Sequence, residues 1–443
     1  MPMARSLAVR LGLAGTLAVT AQAQAQWAVS VLTPIGAQSC VASGVYAGQQ
    51  VGQVTLSSGA SHAGLWTGIA GSWVDLNPPS AAGGSSVTAV NNGQQVGSAT
   101  MADFSQHAGL WSSTAASWID LNPAGALGSV AYASKGGQQV GYVIVGFSGG
   151  VAVQHASMWS GTAASWTDLN PSGASGSVAN GVDGGQQAGF VFDASGICHA
   201  SLWNGSAAAW IDLDPSGSIG SSALGASGGQ QVGYVQIDGI TCASLWSGTA
   251  ATWVNLNPTG MPFSEATGVF QLLQVGFVID ATGKHHAALW SGTSDSWIDL
   301  GAFTPSAYTD SEATGIWSDT GFTYVVGYAW NRSNNANQAL LWTRPAGGVC
   351  CNGSSCLAEV TAGSCTGAHR LFVANWTACN AIRNTQMPCC KADYNKVGGV
   401  TVQDIFDFLV AWFARDPSAD TNGDGAVTPQ DIFDFLAAWF NGC

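Results

Sequence analysis

A Leu-Trp or Met-Trp step recurs along this chain at Trp66, Trp111, Trp159, Trp203, Trp246, Trp290 and Trp342, at spacings of 45, 48, 44, 43, 44 and 52 residues. A period of about 45 residues, each carrying four short strand-like runs between Gly, Asn and Pro turns, predicts radially arranged four-stranded sheets, a β-propeller. The usual estimate of domain number from length fails for such a chain, because each repeat must bury its faces against its neighbours.

Other landmarks keep the same register. A Gly-Gln-Gln-Val-Gly element precedes the Trp at Gly48–Gly52, Gly93–Gly97, Gly137–Gly141, Gly185–Gly189 (with Ala188 for Val) and Gly229–Gly233, and is degraded at Leu272–Gly276 and Tyr324–Gly327. A second Trp follows seven residues after each of the first six, at Trp73, Trp118, Trp166, Trp210, Trp253 and Trp297, and opens a Trp-x-Asp/Asn-Leu segment. In the fourth repeat this predicts strand a at Ser177–Val182, b at Gln186–Phe192, c at His199–Trp203 and d at Trp210–Leu213.

The repeats hold seven a, b and c strands but only six Trp-x-Asp/Asn-Leu strands. The missing one sits near the beginning, where Leu32-x-Pro34 matches Leu76-x-Pro78 and Leu121-x-Pro123. Residues 28–33 are therefore expected to complete the last sheet beside Leu340–Thr343. The expected fold is mainly β: a seven-bladed propeller over 27–345, closed by an N-terminal outer strand, with no open edge.

Composition narrows function by exclusion. With 11 Lys and Arg against 25 Asp and Glu, the net charge is −14, and too few cations exist to neutralise many phosphates, so nucleic acid is not an expected partner. The 59 glycines disfavour long helices, whereas the 19 Trp supply the apolar area such a chain needs. Residues 1–25 read as a signal peptide: Arg5 and Arg10, an apolar run from Leu11 to Val19, then Ala21-Gln-Ala23 and Ala23-Gln-Ala25. The run is too short to span a bilayer, and no later segment is long and apolar enough. The expected location is outside the cell, attached to its surface.

Residues 28–345 resemble the HAF-type extracellular repeat family, through His62-Ala63, His107-Ala108, His155-Ala156, His199-Ala200 and His286-Ala287, each leading to Leu/Met-Trp. The resemblance implies an exported propeller and no particular activity. Cys242 and Gln338 replace the His in the fifth and seventh repeats. The five His lie in different blades and cannot converge on a metal at about 2 Å, so a structural hydrogen bond is expected of them. The series Asp75, Asp120, Asp168, Asp212 and Asp299 invites a catalytic reading, but a charge on each outer strand also guards against edge pairing. Two Gly-x-Ser-x-Gly matches, at Gly146–Gly150 and Gly225–Gly229, lead into no expected helix and carry no weight.

One strand-a position breaks pattern. It reads Val41, Ser86, Val130, Val178 and Ser222, then Glu265 and Glu312. Two carboxylates on neighbouring inner strands can do acid–base work or bind a cation, or simply sit solvated at a channel mouth. They are the candidate catalytic residues. The b–c loops vary, with an insertion at Val145–Val153, and the last repeat lengthens at Thr304–Ser311 and Trp317–Thr323. Variable loops on a rigid scaffold make the b–c and d–a face the expected ligand face.

The C-terminal third is different. Eight of 11 Cys follow residue 349, seven of them within 346–390 and the eighth at Cys443; this even set reads as a disulfide framework and 346–390 as a Cys-rich disulfide segment, while Cys40, Cys198 and Cys242 read as mostly buried thiols. Val400–Phe413 is then nearly repeated by Val427–Phe440. Before the second copy, Asp420, Asn422, Asp424, the Ala426 carbonyl, Thr428 and Asp431 take positions 1, 3, 5, 7, 9 and 12 of an EF-hand-like calcium loop. The first copy offers Asp393, Asn395, the Gly399 carbonyl, Thr401 and Asp404, with Val397 at position 5 in place of an oxygen donor. Ile405, Phe408, Leu409 and Trp412 form one apolar stripe, and Phe406, Val410 and Phe413 a second.

Residues 391–443 resemble a dockerin of the type ending in Gly-Cys, here Gly442-Cys443. The resemblance implies a small α-helical domain, calcium as cofactor, and docking to a cell-surface or cohesin-like protein. The expected function is therefore an exported, non-catalytic binding or display propeller with a docking tail, and a polysaccharide is the candidate ligand on the loop face. The alternative is a carbohydrate-active enzyme, a glycosidase or polysaccharide lyase, carried by the same tail.

Overall fold

The computed structural model describes residues 27–319, 321–345, 347–352, 355–361, 370–374, 392, 394, 401–421 and 426–441. The expected signal peptide and Cys365, Cys379, Cys389, Cys390 and Cys443 lie outside them. The chain is mainly β, and its repeats fold as antiparallel four-stranded units.

The fourth repeat shows how. Strand a is Gly176–Asp183, b is Gln186–Phe192, c is Cys198–Trp203 and d is the two-residue Ile211–Asp212. Register runs Val178↔Phe190, Gln187↔Trp203 and Leu202↔Ile211. The same order spans 39–75, 84–120, 128–168, 220–255 and 263–299. In the last unit, Tyr308–Ser318, Phe322–Asn331 and Ala336–Pro345 take the a, b and c places, and Ala28–Val31 pairs with Leu340–Thr343 as the fourth strand.

Glycine is enforced at one place in each unit. The last Gly of the Gly-Gln-Gln element faces a bulge in strand a, between Ala179 and Gly181 in the fourth repeat. A Cβ on Gly189 would sit 2.0 Å from the Val178 carbonyl oxygen, and one on Gly52 equally close to Val41. The bulge residue reaches the neighbouring inner strand: Thr88 Oγ1 donates to the Ala131 carbonyl at 2.9 Å, Thr267 Oγ1 to Ala313 at 2.8 Å, and Thr314 Oγ1 to Ala42 at 2.7 Å. Each first strand packs on the next, and the 308–318 strand on the 39–46 strand.

The core lies between units. All seven strand-c Trp are fully buried. Each fills the splay between radiating sheets, and burying one aromatic contributes about 2–3 kcal/mol. A polar staple accompanies them: Ser177 Oγ accepts from the Ala156 amide at 2.9 Å and donates to Asn170 Oδ1 at 2.6 Å, tying three strands of two units. Ser85, Ser129 and Ser264 repeat the pattern.

Beyond the repeats, Gly347–Asn352 pairs with Ser355–Thr361 and Arg370–Ala374. Two helices follow, α1 at Val402–Phe413 and α2 at Pro429–Asn441. They pack as equivalent copies. Phe408 and Phe435 stack at 4.2 Å, Trp412 Nε1 donates to the Thr428 carbonyl, and Trp439 Nε1 to the Thr401 carbonyl, both at 2.8 Å. The first stripe thus makes the core, while Phe406, Val410 and Phe413 stay exposed, as do Phe433 and Phe440 of the second copy. No described helix is long and apolar enough to cross a membrane.

Candidate functional site

In a four-stranded meander the b–c turn and the approach to the next strand a lie at one end of the sheet. Glu265 and Glu312 stand near that end of their strands, cross-strand from Phe277 and Tyr328. The structure gives each a different chemistry. Glu312 is held on both oxygens: the Tyr328 hydroxyl donates to Oε2 at 2.5 Å, and His285 Nδ1 meets Oε1 at 2.8 Å. A carboxylate there makes Nδ1 the donor and leaves Nε2 as the working nitrogen. Nε2 of His285 makes no hydrogen bond among the described residues, and the ring stacks on Phe277 at 5.4 Å and 5°. Asp310 fixes the backbone below, accepting from the His285 amide at 3.2 Å.

Glu265 has no such support. Burial first, and the nearby charge of Glu312 second, push its carboxyl up to about 7. Burial and the bond to Glu312 also keep the Tyr328 phenol protonated far above neutrality. A protonated or proton-sharing carboxyl, a carboxylate-oriented imidazole and two Tyr, Tyr328 and Tyr234, therefore gather at adjoining units. This arrangement can hold a polar or cationic ligand, or move a proton.

Sequence reasoning found the two Glu and missed His285 and Tyr328. Both had signals. Only the sixth repeat reads His-His before Ala, and Tyr328 occupies the strand-b place that register sets opposite Glu312.

The repeated His are structural, as expected. Nδ1 of His62, His107 and His155 lies 2.7 Å from Asp75, Asp120 and Asp168; the His199–Asp212 and His286–Asp299 distances are 3.0 and 2.8 Å. Four of the Asp do more than charge an edge: the other oxygen of Asp75, Asp120, Asp168 and Asp212 caps the turn, as Asp75 Oδ1 accepts the Asn77 amide at 2.8 Å, whereas Asp299 Oδ1 is buried without such a bond. Where Cys242 replaces His, Asn255 replaces Asp and hydrogen-bonds it.

The loop end of the units is also where apolar side chains are exposed: Ile35, Phe104, Phe147, Val151, Ile197 and Ile219. Phe147 and Val151 sit at the tip of the inserted hairpin.

In the tail, Asp393, Asn395, Gly399, Asn422 and Asp424 lie outside the described residues. Of the expected ligands that are described, Asp404 and Asp431 are fully buried. Asp431 Oδ2 takes the Thr428 amide at 2.7 Å, and Oδ1 takes the amide of Thr421, ten residues earlier, at 2.9 Å. Asp404 Oδ2 caps Thr401 the same way, at 2.8 Å. Asp431 thus ties the start of this segment, at Thr421, to the start of the second helix, and no group of three or more His, Cys, Asp or Glu among the described residues is placed to hold a metal ion.

No family model matches the chain. No curated protein matches it either. Solved structures with similar architecture are β-propeller proteins. A puromycin-hydrolyzing peptidase from Mycobacterium tuberculosis is 13% identical, with a TM-score of 0.45 over 70% of this chain and 55% of that one. The BP39L lectin from Burkholderia pseudomallei is 17% identical, with a TM-score of 0.34 over 62% and 82%. The propeller domain of the Trilobed protease from Pyrococcus furiosus is 8% identical, with a TM-score of 0.36 over 59% and 98%. The chain spans little more than half the length of the peptidases it is similar to.

Proposed function

We propose that this protein is an exported, non-catalytic binding propeller: seven four-stranded blades, the last completed by the N-terminal strand, a ligand surface on the b–c and d–a loop end, and a calcium-loaded dockerin-like tail that anchors it to a cell-surface or cohesin-like partner. The ligand in this reading is a polysaccharide. The observation that carries it is the off-pattern group Glu265, Glu312, His285 and Tyr328, set into units that otherwise repeat. Exposed apolar loop residues around the same end supply a contact surface. Calcium, when bound, would neutralise Asp420, Asp424 and Asp431 and hold the loop closed. Phe406, Val410, Phe413, Phe433 and Phe440 give the tail an exposed apolar face for its partner. The test is retention of the full chain on insoluble polysaccharides, with and without a chelator and with a Glu265→Gln, Glu312→Gln variant. Retention by the intact protein and loss in the variant support the reading, and no retention on any polymer refutes it.

A second reading, a glycosidase or lyase, is favoured by one specific feature. A carboxyl raised to about 7 beside a carboxylate-oriented His is the pairing of proton donor and acceptor such chemistry needs. Release of reducing or unsaturated ends from the same polymers, abolished in the variant, decides for it.

A further inference from the structure

The fourth repeat contains a groove at the b–c and d–a end of its strands. Its volume is about 230 Å³, space for one sugar ring and not for a chain. One wall is the Pro171–Ala174 turn arriving from the third repeat. Phe192, Trp210, His199, Asp212 and Asp193 also line it. The floor is built by the repeat: Trp210 Nε1 is held by Ser201 Oγ at 2.9 Å, and His199 Nδ1 by Asp212 Oδ2 at 3.0 Å. His199 Nε2 makes no hydrogen bond among the described residues, and the side chain is 26% exposed. Burial opposes charge on this imidazole, but the Asp212 bond and the nearby carboxylates Asp214 and Asp193 outweigh it and raise its pKa. Asp193 spends Oδ1 on the amides of Ser195 and Ile197, and its Oδ2 makes no hydrogen bond among the described residues.

Two aromatic side chains, two carboxylates and an imidazole nitrogen without a hydrogen bond among the described residues line one groove, and these groups suit a pyranose. C–H faces of the sugar pack on rings, and neighbouring hydroxyls bond to charged acceptors and donors. The first three repeats keep the His, Asp and Trp but not the wall. Phe192 corresponds to Thr55, Thr100 and Ile144 in the first three repeats. In the sixth, Asp280 closes on His286 Nε2 at 3.1 Å and takes the place a ligand would.

We infer that the groove bounded by Phe192, His199, Trp210 and Asp212 binds a single sugar residue of a glycan, separately from the Glu265–Glu312 group. This rests on the reading of the loop end as a polysaccharide surface and adds the point of grip.

The test uses the full chain and the methyl glycosides of glucose, galactose, mannose, fucose, xylose and N-acetylglucosamine, read by saturation-transfer NMR. At least one is expected to bind, and Asp212→Asn and Phe192→Ala are each expected to weaken it about tenfold or more. Asp212→Asn should fold, because Asn255 in the fifth repeat caps the same turn, accepting the Asn257 amide at 2.7 Å. Phe192→Ala removes a partly exposed ring, and His286→Gln should leave binding unchanged. Binding to no glycoside, or binding unaffected by both groove variants, overturns the inference. Retention on a polysaccharide without any response to the groove variants overturns it while leaving the proposed function standing. Retention on none refutes both.

Discussion

The Tyr328 hydroxyl lies 2.5 Å from Glu312 Oε2, and the two residues are direct cross-strand partners. The bond commits the phenol proton to one carboxylate oxygen. Glu265, at the same repeat position, has no such donor among the described residues, and burial first and the nearby Glu312 second push its carboxyl up to about 7.

Glu265 should therefore make stability fall as pH rises. Its carboxyl ionises near 4.5 when unfolded and at about 7 when folded. The folded state holds the proton more tightly, so full stability is present below pH 4.5 and the penalty develops as pH climbs to about 7. Glu265→Gln should remove this slope and raise stability at pH 8 by on the order of 2 kcal/mol. Denaturant titrations of both proteins at pH 4.5 and 8 check it. Parallel pH dependence in the two would contradict the assignment.

Gly189 is fixed by the Val178 carbonyl, which a Cβ would meet at 2.0 Å. Gly189→Ala should cost about 2–4 kcal/mol through backbone displacement. Gly205→Ala, at a turn where nothing lies within 4 Å but φ is +74°, should cost only about 1 kcal/mol. Thermal melts of the two variants measure the difference.

Cys242 and Asn255 stand together where the other repeats have a His and an Asp. Cys242→His and Asn255→Asp should each be neutral or destabilising alone, and their combination should recover about 0.5–1 kcal/mol of coupling. The double-mutant cycle at pH 7 measures that term directly. A coupling near zero would show the pair to be incidental.

The buried Asp431 joins Thr421 to the start of α2, so loading with calcium should tighten the whole tail. Calcium is expected to raise the melting temperature of the tail transition, and Asp431→Asn to weaken binding by about tenfold or more. Calorimetric titration with calcium, against magnesium as control, reads this out.

The repeat units were legible because three landmarks, the two Trp and the Gly-Gln-Gln element, fix the same register each time. Blocking strand b of the fourth repeat as Gln186–Phe192 agrees residue for residue with the structure, and Ala28–Val31 lies beside Leu340–Thr343 as the count of outer strands required. Strand d was read one residue long at each end: the strand is Ile211–Asp212, although the Leu213 amide still donates to the Ala200 carbonyl at 2.8 Å. At the candidate site, the two Glu stood out because they break a repeat. His285 and Tyr328 did not, because their importance depends on which residues face each other across strands and between units. The exposed second stripe of the tail was visible as a stripe. Its exposure follows from the first stripe, with Phe408 and Phe435 stacked at its centre, filling the small core between the helices.

The most direct test of the account is one polysaccharide panel scored for both retention and cleavage, with the intact chain beside the Glu265→Gln, Glu312→Gln variant. The account predicts retention of the intact protein on at least one polymer, no new chain ends, and loss of retention in the variant. New ends made by the intact protein and absent with the variant, or no retention at all, would contradict it.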